Sequence, residues 1–125
     1  MKIKVLVIGR SDERRAVLLG MLAAPDIGNA QQVKSGPTAL DRVESMDPDV
    51  AVILLGPGEN DAFALCERIY LSKPRCAVLM VSESLDVDGL QKALSAGATN
   101  LVAWPENAAV LQDAVFAAHT RRNMH

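Results

Sequence analysis

Three stretches of this chain, 3–8, 50–55 and 77–81, are nearly solid apolar blocks rich in β-branched residues. A strand covered on both faces needs no polar alternation. Such runs therefore point to a parallel sheet sandwiched between helices, and away from an antiparallel sheet with one wet face. Two weaker runs, 30–34 and 99–103, suit edge strands. The full set of expected strands is 3–8, 30–34, 50–55, 76–81 and 99–103.

Between the strands the apolar period changes to that of a helix. Val17, Leu18, Met21 and Leu22 form one stripe, and Leu40, Val43 and Met46 a second. Ala62, Leu65 and Ile69 form a third, Leu90, Ala93 and Leu94 a fourth, and Leu111, Ala114, Val115 and Ala118 a fifth. Start signals agree with these stripes. Ser11 or Asp12 can cap the first helix, and Pro37 fits the first turn of the second. Asn60 or Asp61 can cap the third, Ser84 or Asp86 the fourth, and Asn107 the fifth. Gly28 and Gly97 are expected just past helix ends, in a left-handed conformation. Five strand–helix repeats imply right-handed crossovers and a doubly wound parallel sheet, for which the order 2-1-3-4-5 is common at this size.

A length of 125 residues fits one domain, expected over residues 1–120, with 121–125 as a polar tail or the start of a linker. The net charge is −2. Binding a phosphate backbone needs clustered Lys and Arg, so direct nucleic-acid binding is not expected. Arg121 and Arg122 are the one basic cluster of note and read as a solvated chain end. The longest apolar run, 50–55, is far too short for membrane insertion, and the N-terminus lacks the pattern of a signal peptide, so a cytoplasmic location is expected. Cys66 and Cys76 match no metal spacing and read as reduced core thiols. No metal or cofactor is expected.

In a doubly wound sheet, ligands bind at the carboxyl ends of the strands near the topological switch. That rule gathers Gly9, Arg10, Ser11, Leu54, Leu55, Gly56, Ser82, Glu83 and Trp104. The set holds no nucleophile beside a base, and His119 and His125 lie far from it in sequence. No enzymatic activity is expected. Gly56-Pro57-Gly58 reads as a turn, because neither a dinucleotide fingerprint nor a P-loop is present. Glu59 and Asp61 lack a third oxygen ligand for magnesium, and Asp61 is expected to cap its helix.

The first strand, Pro48-Asp49 before the third, Asp61, Ser82, the Ala96-Gly97-Ala98 turn and Pro105 recur at one family's spacing. In these features the chain resembles the receiver domain of bacterial response regulators. The resemblance implies a three-layer flavodoxin-like (βα)5 fold in the order 2-1-3-4-5. It also implies a phospho-site, from which the chain departs. The family's acidic pair after the first strand is replaced by Gly9 and Arg10, its phospho-accepting aspartate by Leu54, and the lysine before Pro105 by Trp104. Ser82 alone keeps the Ser/Thr position. A leucine cannot accept a phosphoryl group, and glycine with arginine cannot ligate a hard cation.

The expected function is accordingly a phosphorylation-independent receiver-like module that works by protein contact. Its partner is expected to be another protein or an attached effector domain. The chain resembles modules of larger proteins, such as the N-terminal domain of Tad pilus-assembly ATPases or receivers leading into transcription factors, and does not choose between them. The alternative is a flavodoxin-like protein that binds a small ligand or nucleotide. The Arg10 guanidinium is expected either in solvent or in the metal's place, bonded to Glu83, Ser82 or carbonyls. The peptide before Pro105 is expected to be cis, as in the family. Leu101, Val110 and Phe116, on or beside the face of the fourth helix, fifth strand and fifth helix, are candidate contacts for a homodimer.

Overall fold

The computed structural model describes residues 2–123. Five strands and five helices alternate: β1 (Ile3–Gly9), α1 (Asp12–Met21), β2 (Ile27–Lys34), α2 (Pro37–Met46), β3 (Val50–Leu55), α3 (Asp61–Ser72), β4 (Ala77–Ser82), α4 (Val87–Ser95), β5 (Asn100–Ala103) and α5 (Ala108–Arg122). The strands form one parallel sheet in the order β2-β1-β3-β4-β5, the flavodoxin-like arrangement expected. β3 and β4 carry their apolar runs because each has a strand on either side and helices on both faces.

Two cores follow from strand alternation. Leu6, Ile8, Ala51, Ile53, Val78 and Met80 face α2, α3 and α4. Val5, Val7, Val50, Val52, Leu79 and Val81 face α1 and α5. Leu54 belongs to this second side. Deletion of a buried leucine or isoleucine side chain from either layer costs about 2–5 kcal/mol.

Local signals account for most boundaries. Ser11 caps α1 by accepting from the Arg14 N–H, Asp86 caps α4 through the Gly89 N–H, and Asn107 caps α5 through the Val110 N–H. Gly97 ends α4 at φ +100°, and a Cβ there would meet the Tyr70 ring at 2.5 Å.

Several expectations are corrected. Gly28 is not a helix terminator. It lies inside β2, which begins three residues earlier than expected, and it passes so close to Lys2 that a Cβ would come within 2.8 Å of the Lys2 Cβ. α1 buries Arg15 and Leu18, and its C-cap residue Leu22 is buried in line with them, so the inward stripe runs at 15, 18 and 22, and Val17 is left 43% exposed. Asn60 makes no side-chain cap on α3.

The chain end also departs from the sequence reading. α5 runs to Arg122, past the expected boundary at 120. Arg122 is no solvated end: its guanidinium donates to the Gly97 carbonyl (2.6 Å) and Thr99 Oγ1 (3.3 Å) and lies 5.1 Å from the centre of the Tyr70 ring. Of the expected tail, residues 124–125 fall outside the described residues.

Candidate functional site

β1, β3, β4 and β5 end together at the carboxyl edge of the sheet. Arg10, Leu54 and Trp104 line one cleft of about 480 Å3 there, with Arg14, Gly56 and Glu83, while Gly9 and Ser82 are the last residues of β1 and β4 at the same edge.

Leu54 fills the place where β3 approaches β1. It is 8% exposed and packs with the α1–α5 core. Its side chain lies over Gly9: a Cβ on Gly9 would stand 2.6 Å from Leu54 Cδ1 and 2.9 Å from Leu54 Cβ. Gly9 has no positive φ, so space and not backbone conformation makes glycine the fitting residue. The two positions are sterically complementary.

Arg10 does not occupy the centre of the cleft. It reaches across to Asp61 at the start of α3, 2.6 Å away, with both side chains more than half exposed. Asp61 therefore pairs with a cation in place of the capping role expected of it. Glu83, one of the partners considered for Arg10, is taken by Arg14 of α1 at 2.5 Å. That hydrogen bond raises the Arg14 pKa above its ordinary value, although the group is exposed. Arg14 also lies 5.8 Å from the centre of the half-buried Trp104 ring, a cation–π distance. Arg14 thus joins the first turn of α1 to the loops after β4 and β5, and Arg10 joins the loop before α1 to the start of α3.

Below these pairs sits Arg15, which the sequence reading missed. It is 7% exposed. Its Nη1 donates to the Gly9 carbonyl at 2.6 Å, its Nε donates to Gln32 Oε1 at 3.1 Å, and Nη2 pairs with Asp12. A usable signal existed: position 15 completes the i, i+3, i+7 stripe with Leu18 and Leu22.

Ser82 is 5% exposed. Its hydroxyl donates to the Ser84 carbonyl (3.0 Å) and accepts from the Ser84 N–H (3.1 Å), so its hydrogen bonds close the turn after β4. The Ser82 carbonyl accepts from the Trp104 N–H at 3.0 Å. Pro105 is buried. The peptide before it is trans, against the expectation, since no cis bond occurs among the described residues. Trans is the intrinsically favoured isomer of an X–Pro bond by about 0.5–1 kcal/mol.

Gly56-Pro57-Gly58 forms the expected turn, with the Glu59 N–H donating to the Gly56 carbonyl and Gly58 at φ +74°. The Glu59 carboxylate lies over Gly56, where a Cβ would come within 2.7 Å of Oε1. A carboxylate in that position opposes an incoming phosphate. Among the described residues no group of three His, Cys, Asp or Glu is placed to hold a metal ion.

The candidate contact residues differ in access. Val110 is 47% exposed, and Phe116 is partly buried against the α1–α5 core. Leu101 is 4% exposed and lies in the core under α4, because that side of β5 faces Ala93 and Ala96. It therefore offers no surface to a second subunit. No helix among the described residues is long and apolar enough to cross a membrane.

The chain matches the response regulator receiver domain family over residues 5–116 and belongs to it. It is 29% identical over 108 residues to a protein-glutamate methylesterase/protein-glutamine glutaminase of Nitrobacter winogradskyi, covering 84% of this chain and 25% of that protein. A protein of the same description from Rhodopseudomonas palustris is 28% identical, with 84% and 28% covered. The chain thus spans about a quarter of the length of the curated relatives it matches. Among solved structures, the receiver domain of the response regulator NarL from Mycobacterium tuberculosis gives a TM-score of 0.85 at 18% identity, covering 95% of this chain and 97% of that one. The response regulator domain of Thermotoga maritima CheB gives 0.80 at 22% identity, covering 100% and 99%. A pilus assembly-related protein from Burkholderia pseudomallei gives 0.77 at 22% identity, covering 95% and 90%. At these identities the likeness is one of fold.

Proposed function

We propose that this receiver domain is a phosphorylation-independent interaction module of a response regulator or larger regulatory protein, with no catalysis of its own. In this reading Gly9, Arg10, Leu54, Ser82, Trp104 and Pro105 mark a phospho-site that no longer takes phosphate. The observation that carries it is the packing of Leu54 over Gly9, which puts hydrocarbon where an acceptor and a metal would have to sit. The ion pairs Arg10–Asp61 and Arg14–Glu83 support a single fixed arrangement of the surrounding loops. The larger protein would supply the output, as the short coverage of the curated relatives leaves room for. A cytoplasmic location fits this role.

Contact with a second copy through the α4–β5–α5 side remains part of the proposal. Its support is the exposed Val87, Leu94 and Val110, with Leu101 removed from the set. Light scattering that finds only monomer at high concentration would count against it.

The direct test of the main reading is intact-mass spectrometry after incubation with magnesium and acetyl phosphate. An unchanged mass is expected. An acid-stable, base-labile gain of one phosphoryl group would overturn the reading.

A further inference from the structure

Two adjoining clefts, of about 320 and 580 Å3, run between α3 and α4 and share Asn60, Phe63, Asp88 and Lys92. Their floor is apolar: Leu55 and Phe63 are partly buried against the core below. Their walls carry the carboxylates of Glu59, Glu67, Glu83, Asp86 and Asp88 and one cation, Lys92; Glu83 is paired with Arg14 and Asp86 caps α4, so Glu59 and Glu67 are the carboxylates turned to no cation among the described residues. Lys92 is already engaged with Asp88 at 3.2 Å. The whole chain carries a net charge of only −2, so this groove is more negative than the chain and the rest of the surface is left net positive. Leu85 and Val87, which flank Asp86 in sequence, are 55% and 70% exposed.

An apolar trough between carboxylate walls is complementary in both respects to one kind of occupant. We infer that the α3–α4 groove docks a cationic amphipathic helix of a protein partner. The partner's apolar stripe would lie on Phe63 and Leu55, and its Lys and Arg side chains would reach Glu59, Glu67 and Asp86. Among the described residues the carboxylates do not converge in a metal-binding group, which disfavours a bare cation as the ligand. The inference deepens the interaction-module reading by naming the surface and the chemistry of the partner.

The test is an amide NMR titration of the domain with a synthetic amphipathic helix of leucine and lysine, with and without magnesium and beryllofluoride. Saturable shifts are expected at Asn60, Phe63, Asp88 and Lys92 without beryllofluoride. They should weaken between about 0.15 M and about 1 M salt, as the screening length falls from ~8 to ~3 Å. The double variant Glu59→Lys with Glu67→Lys should lose affinity by at least about tenfold, taking roughly 1.4 kcal/mol per decade. Glu44→Lys on α2 should lose none. Absent shifts in both conditions, equal loss in Glu44→Lys, or equal binding of a leucine–glutamate helix would each overturn the groove. So would shifts at these residues that grow with domain concentration alone, which would make a second copy the occupant. Binding that appears only with beryllofluoride would retain the groove and overturn phosphorylation independence instead.

Discussion

Leu54 occupies the space that any side chain on Gly9 would need, with its Cδ1 2.6 Å from the position of a Gly9 Cβ. The end of β3 and the end of β1 are therefore a matched pair. A side chain at position 9 would have to displace Leu54.

Gly9→Asp is expected to destabilise the domain by about 1–3 kcal/mol, the range of overpacking in a filled core. Leu54→Ala should cost about 2–5 kcal/mol by leaving a cavity. The double variant should be more stable than the sum implies, with a coupling of about 0.5–3 kcal/mol. Urea denaturation of the four proteins measures this, and strict additivity would contradict the steric account.

The ion pairs and the buried arginine should behave differently. Arg10→Ala and Arg14→Ala remove exposed, solvent-screened pairs, so each effect on stability should be small and should shrink further in high salt. Arg15→Ala takes the donor from Gln32 Oε1 and one of two donors from the Gly9 carbonyl, which keeps the Ser35 N–H, and should cost about 1–3 kcal/mol, with little salt dependence. Arg15→Lys should rescue little, because one ammonium cannot reproduce the fork that serves Gly9, Gln32 and Asp12. Thermal melts at low and high salt separate the two classes.

Much of the fold was legible because the strong strands carry a doubly buried pattern that few other architectures allow. The edge at which the strands end was legible, and the partners of the side chains there were not. Residues 9, 10, 54, 82 and 104 do meet at one edge, since strand ends are fixed by the order of the sheet. Which carboxylate Arg10 would choose depends on the separation of two loops, and nothing local in the sequence encodes it. Arg15 was hidden by its type: a charged residue on an inward stripe reads as a break in the pattern until its carbonyl partner is known. Leu101 failed for a related reason. A four-residue edge strand is too short for its alternation to reveal which side chain faces the core.

Burial pushes the thiols of Cys66 and Cys76 up to about 12, from an ordinary 9.0. The folded state thus favours the protonated form. The stability this provides is fully present below pH 9 and is lost as pH rises toward 12, by up to about 1.4 kcal/mol per pH unit for each thiol. Denaturant melts of the domain and of Cys66→Ala across that window should show a shallower alkaline loss in the variant. Thiol-reactive reagents at neutral pH should label the folded domain only at the rate at which it opens.

Arg122 fastens the end of α5 to Gly97, Thr99 and Tyr70. Arg122→Ala should speed amide hydrogen exchange in the last turn of α5 and in the Gly97–Thr99 turn, while β1 and β3 keep their protection. Uniform loss of protection would mean that the contact supports the whole fold and not this corner.

The measurement closest to the central claim is a titration with magnesium and beryllofluoride, a mimic of the phosphoryl group, followed by backbone amide NMR. The expected result is no saturable change at Gly9, Leu54 and Ser82, because Leu54 offers no carboxylate and Gly9 and Arg10 offer no metal ligands. Saturable shifts at those three residues would contradict it and return the domain to the phosphate-sensing members of its family.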